Sequence, residues 1–279
     1  MKKIISILLG PLSFILISLT GPYGGMSTEA HAILASTSWI AIWWITEAIP
    51  IAVTSLLPLI LFPLSGGLDI KSTASAFGNK MIFLYLGGFI IAIAIEKWNL
   101  HKRIALNVIR TIGTDMNKMV LGFMVATAFL SMWISNTATT VMMLPIGMAI
   151  VLQLSDSDKV DRSTVKKFGK VLMLGIAYSS SIGGISTLIG TPPNLVLAGV
   201  VEEFYGIEIA FGNWFLLVFP ISIVLLFICW KFLVTYAFPL KSKVLPGGKA
   251  EIIERIKELG KLKFEEKLIL GVFLVTAFS

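Results

Sequence analysis

Three polar residues in a row, Ser135-Asn136-Thr137, sit near the middle of an uncharged stretch covering residues 119–155. A second uncharged stretch, 171–201, is interrupted at Gly183-Gly184 and again at Gly190-Thr191-Pro192-Pro193. Ser, Asn and Thr are strong helix N-caps, and proline is favoured at the first helical position, so each interruption reads as a helix start. A helix start carries about half a positive charge and free N–H donors, which suits both breaks to an anion. The same segments offer hydroxyl, amide and backbone carbonyl oxygens, with Ser131 one turn before Ser135 on one helical face. Such hard, neutral ligands fit a small alkali cation, and a chain with 2 His and 1 Cys has no Cys/His cluster for a transition metal. The plain alternatives are interhelical hydrogen-bonding glue for Ser-Asn-Thr and a simple kink for Gly-Thr-Pro-Pro.

The elements around these residues are set by composition. Of 279 residues, 56% are apolar and 14% charged, which excludes a water-soluble globule and a disordered chain alike. The expectation is an all-α integral membrane protein. Crossings of about 20 apolar residues are predicted near 4–19, 32–45, 49–64, 81–95 and 211–230, with another beginning near Leu268. The start also resembles a signal peptide, with Lys2 and Lys3 before an apolar run and Ala30-His31-Ala32 as a cleavage site. A retained first span is preferred, because further spans follow at once. Cys229 lies in an apolar run and has no partner for a disulfide, so packing is its expected role.

As one straight helix, residues 119–155 would run about 55 Å, nearly twice the roughly 30 Å hydrocarbon layer. A helical hairpin with its tip at Ser135-Asn136-Thr137 fits better, and 171–201 reads as one span broken in the middle. Irregular backbone at membrane depth is tolerated only where protein or a water-filled cavity satisfies it. Two such breaks pointing helix ends at an anion while unwound carbonyls hold Na⁺ is a recurring design in secondary transporters.

The net charge of +7 is read as a topology signal and not as a nucleic-acid footprint. If the hairpin enters and leaves on one side, all but Lys71 and Lys80 of the 23 Lys and Arg share one compartment. By the positive-inside rule that side is the cytoplasm, with the N-terminus in it. The loops near Gly24 and Gly206 are then outside, and those near Ser157 and Gly247 inside. Residues 250–263 place Ile252, Ile253, Ile256, Leu259 and Leu262 on one stripe beside Glu251, Glu254, Arg255 and Lys257, an amphipathic connector at the interface. Glu47, before Pro50, is read as a cap or hinge in preference to an intramembrane proton carrier.

Three separated strings, WWITEAIPIAVTSLLPLILFPLSG at 43–66, SMWISNTATT at 131–140 and IGGISTLIGTPPN at 182–194, resemble the divalent anion:sodium symporter family, in particular its bacterial sodium-dependent dicarboxylate transporters. That resemblance implies two inverted repeats, each with a re-entrant hairpin ending in Ser-Asn-Thr and a broken helix ending in a Thr-Pro-Pro-type turn. It implies a homodimer working by an elevator mechanism in the cell membrane. It further implies sodium ligands at Ser131, Ser135, Asn136 and the carbonyl of Gly190, with Asn136, Thr137 and Thr191 facing a substrate carboxylate. No metal beyond sodium is implied.

With one Ser-Asn-Thr and one Gly-Thr-Pro-Pro, the chain matches about the first half of such a transporter. The expected layout is scaffold-type helices at 1–111, the hairpin, broken helix and following span at 112–238, the cytoplasmic connector at 239–266 and the start of the next span at 267–279. A second repeat would then be supplied in cis or in trans. The expected function is sodium-coupled transport of C4 dicarboxylates (succinate, malate, fumarate), with dicarboxylate exchange, sodium-sulfate symport or a non-transporting truncated membrane protein as alternatives. Partners are a small dianion, sodium and lipid, and no nucleic acid. His31 and His101 sit in or beside loops, so nucleophilic or metal-based enzyme chemistry lacks its groups at depth.

Overall fold

The computed structural model describes residues 2–113, 115–155, 160–240 and 248–278. Among these, every regular element is helical, and the chain divides into two compact units, Met1–Ile82 and Phe83–Ser279. Four helical stretches are long and apolar enough to cross a membrane, Lys3–Thr20, Ile70–Lys97, Asn136–Ser155 and Phe211–Ala237. The spans expected at 4–19, 81–95 and 211–230 fall within them. The chain is a multi-pass membrane protein.

The first unit holds α1 (Lys2–Thr20), α2 (Thr28–Thr46), α3 (Ile51–Thr54), α4 (Pro58–Leu64), α5 (Ile70–Phe77) and the first turn of α6 (Lys80–Lys97). In α1, Gly10 leaves room for the indoles of Trp39 and Trp43, and the Trp43 Nε1–H donates to the Ile7 carbonyl at 3.0 Å. The expected span 32–45 lies in α2, whose Ser27 hydroxyl accepts from Ala30 N at its start. Glu47 closes that helix in the left-handed region, φ 47°, with its N–H on the Trp43 carbonyl, so the cap role expected of it is the one it fills. The expected span 49–64 holds α3 and α4, separated by a turn at 55–57 with Pro58 opening the second, and together they form an apolar stretch, Ile51–Leu64, shorter than the four long ones.

The second unit continues α6 and adds α7 (Leu100–Ile112), α8 (Met116–Ser131), α9 (Asn136–Ser155), α10 (Arg162–Gly184), α11 (Pro192–Tyr205), α12 (Phe211–Phe232) with a π-turn at Leu233–Ala237, α13 (Gly248–Glu258) and α14 (Phe264–Phe278). Its core is built on α10. Gly175 abuts Val120 and Met124 and Gly183 abuts Ala128, so α8 runs parallel to α10. Gly169 abuts Val151 and Gly147 abuts Leu172, Met173 and Ile176, so α9 runs back along the same helix. The two arms are therefore antiparallel. α12 also runs back, since the Trp214 Nε1–H reaches the Ile185 carbonyl and the Trp230 Nε1–H the Asn117 carbonyl. The start of α8, the end of α9 and the start of α10 share one end of this bundle, where Lys118, Arg162, Lys166, Lys167 and Lys170 cluster.

α8 has 16 residues and α9 has 20, the latter enough by itself for the hydrocarbon layer. The loop positions expected near Ser157 and Gly247 lie outside the described residues. The amphipathic connector forms α13, which ends at Glu258, earlier than expected, with Ile252 fully buried and Ile256 and Leu259 packed on the core.

Candidate functional site

The first break spans Met132–Ser135. α8 ends because the chain turns at Met132, and α9 begins with the Ser135 hydroxyl accepting from Ala138 N at 3.3 Å, an N-cap. Across the break the Ser131 hydroxyl, fully buried, donates to Asn136 Oδ1 at 2.7 Å. One turn on, Thr140 bonds both the Asn136 carbonyl (2.8 Å) and Ser180 Oγ on α10 (2.9 Å), which fixes the start of α9 against that helix.

The second break runs from Ile185 to Thr191 and is laced from within. Asn194 Nδ2 donates to the carbonyls of Gly184 (3.1 Å) and Thr187 (2.7 Å), and Gly190 N donates to Thr187 Oγ1 (3.0 Å). The Thr187 hydroxyl in turn donates to the Met132 carbonyl in the other break. The carbonyls of Met132, Gly184 and Thr187 and the N–H of Gly190 thus find protein partners where the chain leaves helical geometry.

The two breaks meet at Gly184. Any side chain there would collide with Asn136 Oδ1, and a side chain at Gly190 would collide with the Gly184 carbonyl. Next door, Gly183 lies against the backbone of Ala128 so closely that a Cβ would overlap it. Consecutive glycines at the end of α10 therefore let the hairpin tip and the unwound segment come into direct contact.

Of the residues expected to hold sodium, Ser131 and Asn136 are bonded to each other, and Asn136 and Gly190 both abut Gly184. Ser135 sits beside them as the α9 cap. Of those expected to face substrate, Thr137 is exposed in the first turn of α9 and Thr191 is half-buried. Thr191 was also expected to cap its helix. It occupies the N-cap position, but its side chain makes no cap bond, and Pro192 and Pro193 supply no N–H, so α11 presents its dipole with few donors.

Thr187 and Asn194, both buried, were not singled out from sequence, yet they lock the two breaks together. The only cue was their placement beside the Gly-Gly and Pro-Pro pairs. A cavity of about 420 Å³ lies next to the breaks, lined by Gly87, Gly88, Trp133, Ile189, Phe211 and Phe273 among others, and its walls are apolar. The polar oxygens are at the Gly184 contact. No group of three or more His, Cys, Asp or Glu side chains gathers among the described residues. What the contact offers is neutral oxygen: Ser131 Oγ, Asn136 Oδ1 and the carbonyl of Gly184. That donor set suits an alkali ion.

An all-helical membrane unit with two interlocked helix breaks has the build of a secondary transporter. The chain belongs to the sodium:sulfate symporter transmembrane region family, whose model matches residues 2–278. It is 47% identical over 278 residues to a sodium-dependent dicarboxylate transporter of Staphylococcus saprophyticus subsp. saprophyticus, covering 99% of this chain and 54% of the relative. A protein of the same name from Staphylococcus aureus is 47% identical over 277 residues, 53% of its length. The chain thus spans about half the length of the curated relatives it matches.

Proposed function

We propose that this chain supplies the first of two inverted repeats of a sodium-coupled transporter for C4 dicarboxylates such as succinate, malate and fumarate. The observation that carries the reading is the meeting of two helix breaks at Gly184, with only uncharged oxygen and nitrogen groups at the contact. Sodium is held by Ser131, Ser135, Asn136 and the Gly190 carbonyl. Asn136, Thr137 and Thr191 face one carboxylate of the substrate, and a second repeat, in cis or in trans, faces the other. The names of the relatives support both cargo classes.

On this reading α8 and α9 form a re-entrant hairpin entering from the cytoplasm, with the N-terminus on the same side of the cell membrane. Residues 1–111 act as scaffold and 112–238 as the moving transport region of a homodimeric elevator, joined by the connector at 239–266 to the span that begins at 267. The experiment is uptake of labelled succinate by proteoliposomes holding a chimera of this chain with the C-terminal half of the S. saprophyticus relative. Sodium-dependent uptake is expected, and no uptake under any sodium gradient from a correctly inserted chimera would overturn the reading.

The family description gives a second reading, sulfate in place of dicarboxylate. Neutral donors around a dianion serve both, so competition of succinate uptake by sulfate in the same vesicles decides between them.

A further inference from the structure

At the basic end of the second unit, α9 and α10 leave an open groove of about 680 Å³. Val151, Leu152, Val165, Met173 and Leu174 form its apolar floor. Arg162, Lys166 and Lys170, spaced four residues apart on α10, stand on one face of the helix and line the groove, all three exposed. Between them Gly169 carries no side chain, so α9 and α10 close up there, with an added Cβ only 3.3 Å from Val151 Cγ1. No carboxylate among the described residues lines the groove. Asp161, next to Arg162, accepts from Ser163 Oγ (2.6 Å), Thr164 N (3.0 Å) and Thr164 Oγ1 (2.6 Å), which commits it to its own helix cap.

A triple cation beside an apolar trough has two requirements that one ligand meets together. The cations call for an anion, and the trough calls for hydrocarbon. We propose that this groove seats one anionic phospholipid, its headgroup on Arg162, Lys166 and Lys170 and an acyl chain along Val151, Leu152, Met173 and Leu174. Long basic side chains reach outward from apolar surface in this way, and basic pockets between membrane helices favour anionic headgroups. The bound lipid staples the end of α9 to the start of α10, at the end of the bundle opposite the helix breaks. The inference rests on the membrane setting and not on what is transported, so it stands or falls apart from the proposed function.

The test is native mass spectrometry of the 279-residue chain in detergent, titrated with phosphatidylglycerol or with phosphatidylcholine of the same acyl composition. One phosphatidylglycerol is expected to be retained at least tenfold more tightly than phosphatidylcholine. The R162Q/K166Q/K170Q variant should lose that preference, while R162K/K166R/K170R keeps it. A control with equal charge loss elsewhere, K97Q/K102Q/K257Q, should also keep it, and Leu152→Asp should weaken retention with the cations intact. Equal loss in the control, retention of neither lipid by the unsubstituted chain, or displacement of phosphatidylglycerol by an equal concentration of glycerol phosphate would each overturn the proposal.

Discussion

Ser131 and Asn136, the last residue of α8 and the first of α9, are tied by a 2.7 Å hydrogen bond across the break that separates their helices. The Asn136 oxygen that accepts this bond is also the atom that excludes any side chain at Gly184. The hairpin tip is therefore held by a hydroxyl on one side and by a missing methyl on the other.

Gly184→Ala and Gly183→Ala should both lower the melting temperature in detergent, Gly183→Ala more. Its neighbour is the Ala128 backbone, which cannot rotate away as the Asn136 side chain can. Overpacking of this kind costs about 1–3 kcal/mol. Gly199→Ala, inside α11 with nothing within 4 Å of the new methyl, should instead stabilise by about 0.5–1 kcal/mol. Melting by fluorescence-detected size exclusion separates the two directions, and equal effects at 183 and 199 would contradict the packing described.

Arg103 on α7 gathers the junction of α13 and α14. Its guanidinium bonds Glu266 through Nε (2.8 Å) and Nη2 (3.2 Å) and caps the carbonyls of Leu259 and Gly260 at 3.1 Å. Glu266 also accepts from Lys263 N at 2.7 Å and is 3% exposed. Burial alone pushes its carboxyl up, but Arg103 and the Lys263 amide outweigh it and hold the carboxyl below its ordinary 4.5. A lowered folded value means that the stabilisation is complete above about 4.5 and is lost as the pH falls through the folded value. Glu266→Gln should remove that acid-side loss. Arg103→Ala, which strands a buried carboxylate, should cost about 3 kcal/mol at neutral pH, read as a drop in melting temperature.

The breaks were legible because membrane helices leave few reasons for Ser-Asn-Thr or Gly-Thr-Pro-Pro in uncharged runs, and caps and prolines act locally. Glu47 was legible for the same reason, through Pro50 just beyond it. Thr187 and Asn194 were not, since their partners Met132 and Gly184 are set by how α10 packs on α8, and no periodicity encodes that. In residues 49–64 the hydropathy was legible but the division into two helices was not: the chain turns at 55–57 and Pro58 then opens α4 at its first position.

Sidedness follows from where the basic residues fall. Single cysteines at Met26 and Ile207, with Cys229 replaced, should react with an impermeant thiol reagent added to intact cells. Cysteines at Lys167 and Lys261 should react only after the cells are opened. Labelling at Lys167 from outside, with Lys261 protected, would mean that α8 and α9 do not return to the side they left.

The 279-residue chain alone should insert but show no sodium-driven succinate uptake in proteoliposomes, because one repeat offers at most half of a substrate site. The chimera with the C-terminal half of the S. saprophyticus relative should restore it. Robust uptake by the short chain alone would point to two copies completing a site between them.

The coupling ion is the sharpest test. A proton needs a titratable group to ride on, yet the two breaks carry Ser131, Ser135, Asn136, Thr137 and Thr191 with backbone carbonyls, none of which titrates in the physiological range. No Lys or Arg lies within either uncharged run to hold a dianion, so helix ends and bound cations must balance its charge. Uptake by the chimera should therefore depend on Na⁺ and not on a proton gradient. Asn136→Ala should raise the apparent constants for both sodium and succinate, since the amide oxygen can face the cation and the amide nitrogen the carboxylate. Removing one such contact is expected to cost about 1–3 kcal/mol, roughly five- to a hundredfold in affinity. Labelled-succinate uptake at varied Na⁺, at fixed pH and then across pH, measures both. Full-rate uptake driven by protons without Na⁺, or unchanged constants in Asn136→Ala, would refute a sodium site at the Gly184 contact.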